Sequence, residues 1–293
     1  MKRSIYDLDQ RSVVFITLDC CRFDTFAKSS IPFIKSLSGY SLAKTHGTYT
    51  LPAHMSFFMG YLPIAQKSLL PYYNPDVRQL WRLKSGRTRS LESVGIMLEG
   101  KNILDGYRNI GYQIIGSGGV RWFRNKTLTE LFDTFLFYGP DDTTSVFQER
   151  RINEFALNNI DTIVNKVKKR KNFFLFLNCL ETHVPYDTGE GSYSNQVREI
   201  INKASSIWGC KHENLKNVQV TKQELQLLHR AQIAALETVD KKIERLIKML
   251  SRPLLIVITG DHGECFGEDM NWGHGIPYKQ VMEVPLLVAF TNP

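Results

Sequence analysis

The run Leu254-Leu255-Ile256-Val257-Ile258-Thr259-Gly260-Asp261-His262-Gly263 decides the fold. Its first six residues are β-formers, apolar at consecutive rather than alternating positions, the pattern of a central strand covered on both faces. The same reading predicts strands at Val13–Leu18, Gln113–Gly116, Thr134–Phe137, Phe173–Asn178 and Pro285–Phe290. Helical patterns fall between them at Ile31–Leu37, Pro52–Met59, Leu91–Leu98, Thr144–Val167 and Lys222–Leu250. Strands alternating with helices predict an α/β chain, a three-layer α-β-α sandwich around a mostly parallel central sheet. Sheets of this kind are routinely built within one domain, so residues 1–293 are read as a single domain. Gly, Ser and Asn accumulate from Thr188 to Asn195 and periodicity is weak from Ser205 to Asn217. Residues 185–221 are therefore read as a loop-rich insertion that shapes access to a ligand.

The quoted run also carries chemistry. Adjacent side chains on a strand diverge, but Gly260 and Gly263 let the backbone bend so that Asp261 and His262 converge on one point. Open α/β sheets bind ligands beyond the C-terminal ends of their strands. The first strand ends in Asp19, the Phe173 strand runs into Glu181-Thr182-His183-Val184-Pro185-Tyr186, and a Gly273-His274-Gly275 turn follows the quoted run. Carboxylates and imidazoles on one sheet edge are ligands for a divalent metal. A strand-end Asp alone is more often a turn former, so the Asp261-His262 pair weighs more than Asp19.

In Thr48-Tyr49-Thr50-Leu51-Pro52-Ala53-His54, Pro52 fixes a helix start and Gly60 suits its end, which places Thr50 at or near the N-cap. Unpaired backbone N–H groups there hold a phosphate oxygen. A threonine hydroxyl attacks only when a metal or a base activates it. His54, one turn on, either touches the site or packs, whereas His46, His212 and His229 fit no constellation.

Apolar residues at 43% and charged residues at 23% describe a globular chain and argue against disorder or a fibrous architecture. The formal charge of +8 favours anionic ligands in general. Its densest run, Lys166–Lys171, lies between a helical pattern and a strand and is read as a helix C-terminal cap, so no nucleic-acid partner is expected. The apolar run Val13–Leu18 is too short for a signal peptide and meets Asp19 at once, and no stretch reaches membrane-spanning length. With five cysteines, an odd number without paired zinc spacing, the expectation is a cytoplasmic protein with no membrane insertion; the sequence gives no sign of oligomeric state.

Four motifs then combine: Leu18-Asp19 with Arg22 and Asp24; Gly111-Tyr112-Gln113; Phe173–Leu177 through His183-Val184-Pro185-Tyr186; and Asp261-His262-Gly263-Glu264 with Phe266-Gly267-Glu268, Trp272-Gly273-His274-Gly275 and Val284-Pro285-Leu286-Leu287. Together, from Val13 to Phe290, they resemble the sulfatase-like branch of the alkaline phosphatase superfamily. The resemblance implies an alkaline phosphatase-like core and selects Thr50 over Thr48 as nucleophile by its register to Pro52 and Gly60. Sulfatases of that branch carry a cysteine or serine there, matured to formylglycine, and an arginine four residues on, where this chain has Thr50 and His54. Threonine resembles the phosphodiesterase, phosphonate hydrolase and phosphoethanolamine transferase branches.

By that resemblance, Asp19, Thr50, Asp261 and His262 would bind one divalent metal, and His183 and His274 would act on the substrate or help hold a second. The second site would draw on Glu181 or Cys179, since Cys179 stands where two-zinc relatives have an aspartate. Cys20, in place of a second aspartate, favours zinc, then manganese, over calcium. The implied activity is hydrolysis of an anionic phosphodiester, phosphomonoester or phosphonate through a phosphothreonine. Its rivals are phosphoryl or phosphoethanolamine transfer, sulfuric ester hydrolysis, and metal binding without catalysis.

Overall fold

A computed structural model describes residues 11–59, 81–84, 95–98, 102–124, 126–139, 154–186, 195–205 and 220–291. In chain order these form β1 (Ser12–Leu18), α1 (Phe23–Lys28), α2 (Pro32–Leu37), β2 (Tyr40–Lys44), α3 (Thr50–Met59), β3 (Trp81–Lys84), β4 (Gly95–Leu98), α4 (Ile103–Asn109), β5 (Gln113–Gly118), α5 (Lys126–Thr129) and β6 (Thr134–Phe137). There follow α6 (Ile160–Val167), β7 (Phe173–Cys179), α7 (Asn195–Ser205), α8 (Lys222–Leu250), β8 (Leu254–Gly260), β9 (Cys265–Phe266), β10 (Trp272–Gly273), α9 (Lys279–Met282) and β11 (Glu283–Thr291).

Seven strands make one sheet in the order β2-β11-β8-β1-β7-β5-β6. The run β8-β1-β7-β5-β6 is parallel throughout, and β11 pairs antiparallel with both β8 and β2. The consecutive apolar residues are explained by the pleat, because alternate side chains serve different layers. Val14, Ile16 and Leu18 of β1 join Phe173, Leu175 and Leu177 of β7 in one core, closed by Ile160, Ile163 and Val167 of α6 and Leu236, Val239 and Ile243 of α8. Val13, Phe174 and Phe176 face the other core with Met55 and Phe58 of α3 and Leu104 of α4. Phe176 sits at the centre of that second core, its ring 5.3 Å from Phe58 and 5.7 Å from both Phe123 and Phe132.

The longest helix, α8, starts on a capping box: Glu224 N donates to Thr221 Oγ1 (3.2 Å) and Thr221 N to Glu224 Oε2 (2.7 Å), satisfying two donors that a helix start leaves open. No helix among the described residues is long and apolar enough to cross a membrane.

Two helical expectations are corrected. Of Leu91–Leu98, the described part, Gly95–Leu98, is strand β4, paired antiparallel with β3; a short apolar run led by glycine does not distinguish the two states, and the pairing partner decides. Of Thr144–Val167, residues 144–153 lie outside the described residues, and regular helix starts only at Ile160 after a 3₁₀ turn at Ala156–Asn159. There the Leu157 N–H is taken by the Glu181 carboxylate (3.1 Å). The insertion at 185–221 contains α7, whose Ile200, Ile201 and Ala204 pack on Leu225 and Leu228 of α8; residues 187–194 and 206–219 lie outside the described residues. The carbonyls after α6 are capped by Arg252, which donates to Lys168, Arg170 and Lys171, rather than by the lysines of the basic run itself.

Candidate metal centre

In the parallel register Leu18 of β1 stands opposite both Cys179 of β7 and Gly260 of β8, so the three strands end level and deliver their next residues to one place. Asp19 N donates to Cys179 O (3.0 Å), and Asn178 Nδ2 donates to Asp19 Oδ2 (3.0 Å). The backbone turns at once: Cys20 has φ +59, a left-handed conformation uncommon outside glycine. This lets Cys20 N donate to Asp261 Oδ1 (3.2 Å), which also accepts from His262 N (2.8 Å). Gln232 of α8 holds the turn from behind, Nε2 donating to Cys20 O (2.9 Å) and Thr182 O (3.1 Å).

Asp19, Asp261 and His262 are fully buried. His262 Nδ1 lies 3.0 Å from Gly263 O, an acceptor, so Nδ1 carries the proton and Nε2 a lone pair. That lone pair lies 3.5 Å from Asp261 Oδ2 and 3.9 Å from Asp19 Oδ1. Neither His262 Nε2 nor Asp261 Oδ2 has a hydrogen-bond partner, an arrangement that costs about 1–3 kcal/mol per group when nothing fills it. Burial and then Asp261 push the Asp19 carboxyl up to about 7, and burial pushes Asp261 up to about 8 against the N–H groups it accepts from. Two buried acceptor atoms without a donor, Asp261 Oδ2 and His262 Nε2, lying beside the Asp19 carboxylate, make a candidate cation site, and the nitrogen-and-oxygen set fits zinc or manganese.

A second group adjoins it. The His274 ring lies 4.4 Å from that of His262 and 5.5 Å from that of His183. Its Nδ1 is 3.2 Å from Glu264 Oε1 and 3.5 Å from Cys20 Sγ. Glu264 in turn accepts from Tyr186 Oη (2.8 Å), and burial lifts its carboxyl to about 8. His183 Nδ1 lies 2.6 Å from Val184 O, which leaves Nε2 with its lone pair. Burial holds His274 well below the usual imidazole range, so it is neutral and competent as a ligand.

Thr50 opens α3, and its carbonyl accepts from His54 Nδ1 (2.7 Å). His54 is buried, its ring driven down to about 3 by that burial, and its Nε2 accepts from Thr17 Oγ1 (3.0 Å). Asn178 Nδ2 donates to the same Thr17 oxygen (3.2 Å), and His54 Nδ1 is 3.8 Å from Asp261 Oδ2. The open question about His54 is thus answered by geometry: it packs between the helix start and the carboxylates and ties one to the other. Gly275 N donates to Thr48 O (2.8 Å), binding the His274 turn to the threonine segment. A Cβ at Gly47 would collide with the backbone of Ala53, so this approach needs glycine.

Asp19, Asp261, His262, His183 and His274 are thus brought together beside the helix that Thr50 opens. Cys179 and Glu181 belong to neither three-residue donor set: Cys179 joins the apolar core, and Glu181 Oε1 accepts from Leu157 N. What the sequence reading missed is Cys20 as a donor. Its Sγ groups with Asp19 and His262, and also with His183 and His274, all ligand atoms of each set lying within 4.8 Å of one another.

A mostly parallel sheet with carboxylates and imidazoles at its C-terminal edge is the arrangement of open α/β proteins that bind their ligands beyond the strand ends. The sulfatase family model matches residues 12–292, and the chain belongs to that family, within the alkaline phosphatase-like superfamily. A search of curated proteins found no match. Among solved structures, phosphonate monoester hydrolase from Silicibacter pomeroyi is 16% identical with TM-score 0.57 over 97% of this chain and 68% of its own. Lipooligosaccharide phosphoethanolamine transferase A from Neisseria meningitidis is 17% identical with TM-score 0.58 over 96% of this chain and 48% of its own. The periplasmic domain of EptC from Escherichia coli, solved as a complex with Zn, is 14% identical with TM-score 0.54 over 96% of this chain and 73% of its own. This chain thus spans about half of the full-length transferase. Phosphate or sulfate ester chemistry assisted by a divalent metal is general to the family.

Proposed function

We propose that this protein is a metal-dependent hydrolase of phosphate esters, a phosphodiester, phosphomonoester or phosphonate, with Thr50 as nucleophile. The observation that carries the reading is the placement of Thr50 at the start of α3, tied through His54, Thr17 and Asn178 to Asp19 in a buried cluster whose Asp261 Oδ2 and His262 Nε2 lack partners. Asp19, Asp261 and His262, with Thr50, would hold the metal, which would lower the hydroxyl pKa and neutralise charge on the phosphoryl oxygens.

Thr50 Oγ1 attacks phosphorus in line, the ester oxygen leaves, and the phosphothreonine is then resolved by water. Pro52 has no N–H and Ala53 N donates to Tyr49 O (3.4 Å), so the Thr50 and Leu51 N–H groups at the start of α3 are the ones that would hold a phosphoryl oxygen through the displacement. His183, with Nδ1 committed to Val184 O, offers a lone pair at Nε2, so it accepts a proton or ligates rather than donating to the leaving group. The substrate is anionic, matching the net charge of +8. The four described cysteines are all unpaired, which supports a reducing compartment such as the cytoplasm as part of the proposal.

The test is Thr50→Ala with metal content measured beside turnover of nitrophenyl phosphate, nitrophenyl phenylphosphonate and nitrophenyl sulfate. Loss of phosphorus-ester cleavage with metal retained is the expected result; persistent cleavage would show that another group attacks. Sulfate release above phosphate release would instead favour the sulfuric ester reading. The likeness to a phosphoethanolamine transferase favours one rival, group transfer to an acceptor alcohol, and products formed with added alcohols distinguish it.

A further inference from the structure

We propose that Cys20 is itself a ligand, its Sγ bridging the Asp19/His262 donors to the His183/His274 donors, so that the centre is a mixed sulfur, nitrogen and oxygen site that selects zinc. The inference rests on the cluster being a metal centre, and is independent of which residue attacks the substrate.

The observation that sets Cys20 apart is a contrast with its neighbour. Cys21 belongs to the apolar core with Ile16, Leu18 and Phe26, as a small buried cysteine ordinarily does. Cys20 is just as buried but belongs to no apolar cluster. Its surroundings are polar, with Asp19 Oδ1 at 3.4 Å and His274 Nδ1 at 3.5 Å from Sγ. It also occupies a left-handed conformation at φ +59, a strained placement for a residue with a side chain. Hydrogen bonds on both sides hold that conformation, Cys20 N to Asp261 Oδ1 and Gln232 Nε2 to Cys20 O. The turn aims a thiol at the one place where two donor groups meet.

The neighbouring groups point the same way. His262 Nε2 is buried, carries a lone pair and has no hydrogen-bond partner, with carboxylate oxygens at 3.5 and 3.9 Å. His183 Nε2 likewise carries a lone pair. Cys20 Sγ is common to both three-residue sets, within 4.8 Å of every other ligand atom in each. On binding, the Sγ–metal bond forms as the thiol proton leaves to solvent, with no change of oxidation state. Thiolate and imidazole donors suit zinc or cobalt, whereas magnesium and calcium prefer all-oxygen sets.

The experiment is cobalt loading of the metal-stripped protein, followed by optical absorption. Cobalt–thiolate ligation produces a sulfur-to-metal charge-transfer band in the near ultraviolet, separate from the visible d–d bands that report occupancy. Wild type is expected to show both. Cys20→Ser is expected to keep the d–d bands, lose the charge-transfer band and lose zinc affinity by more than about tenfold, the loss that removing even an outer partner brings. Cys20→Asp, with an oxygen donor restored, is expected to bind metal without the charge-transfer band and to shift its preference from zinc toward manganese or magnesium. Stoichiometric d–d bands without charge transfer in wild type, or charge transfer surviving in Cys20→Ser, would overturn the assignment and leave the metal centre standing. No cobalt uptake by wild type, with the fold intact by circular dichroism, would overturn both together.

Discussion

Removing the metal should make the protein's stability pH-dependent in a direction fixed by two buried carboxyls. In the metal-free fold Asp19 binds its proton up to about 7 and Asp261 up to about 8, against an ordinary 3.8 for both. A folded-state value raised above the unfolded one contributes stability that is complete below the unfolded value and is lost as pH rises through the folded one. Because Asp261 is itself one of the causes of the Asp19 shift, a conservative magnitude counts Asp261 alone. Each pH unit in that interval then removes about 1.4 kcal/mol, so about 2.7 kcal/mol is lost between about pH 5 and 7. At about 2.1 cal/mol/K per residue, unfolding this 293-residue chain carries roughly 0.6 kcal/mol/K, and the midpoint falls by about 4–5 °C. A bound cation stabilises the ionised carboxylates and removes that slope. His54 and His229, held down to about 3 and about 4 by burial, tilt stability the opposite way, gaining it as pH rises toward 6.5, with or without metal. The quantity to measure is therefore the difference in midpoint between loaded and stripped protein, by scanning calorimetry at pH 5, 6 and 7. It should widen by about 4 °C or more across that range. A difference that stays level or narrows would refute the reasoning, since the carboxylates would then be ionised in the fold without any cation.

Three substitutions probe other parts of the design. Phe176→Ala empties the centre of the aromatic core and should cost about 3–5 kcal/mol in denaturant unfolding; a loss under about 1 kcal/mol would mean that the core closes over the gap. Thr221→Ala removes one half of the α8 capping box and should cost about 1 kcal/mol with turnover unchanged, read by urea midpoint and steady-state rate. Gly47→Ala forces the threonine segment off α3 and should lower turnover with little loss of metal by elemental analysis; unaltered kinetics would show that the segment shifts without consequence.

Long apolar runs were legible because the sandwich demands them: each face of β1 and β7 is separately apolar, so the strands read as continuous hydrophobic stretches. Gly95–Leu98 was not legible, because a four-residue strand leaves too short a period to tell from a helical turn and its partner Trp81–Lys84 is not joined to it by a tight two-residue turn but lies across residues 85–94. The helix α7 carries helical spacing at Val197, Ile200, Ile201 and Ala204, but the Gly- and Ser-rich approach to it masked the signal. In the candidate site, the Asp261-His262 pair and His274 announced themselves by flanking glycines. Cys20 did not, since a cysteine just past a strand, with Cys21 beside it, reads as a buried hydrophobe until its neighbours are known.

The same limit explains Thr17 and Asn178. Polar residues near the ends of two central strands have little meaning in one dimension, yet in the parallel register they stand side by side. Both are fully buried, and desolvating them has a cost that hydrogen bonds to His54 and Asp19 offset. Asn178 Nδ2 reaches the carboxylate and the Thr17 hydroxyl at once, and that hydroxyl reaches the imidazole bonded to the Thr50 carbonyl. One continuous chain of hydrogen bonds therefore runs from the candidate metal ligand Asp19 to the backbone of the candidate nucleophile. A core built only for stability would fill these positions with valine and leucine. Fixing Thr50 against the carboxylates requires polar groups here, and the hydrogen bonds of the chain offset their burial, with Asn178 Oδ1 the one atom of these links left without a partner. Thr17→Val isolates that function: the side chain keeps its shape while the imidazole loses its donor. Turnover should fall while metal content stays, and a rate equal to wild type would show that α3 is positioned by its apolar contacts alone.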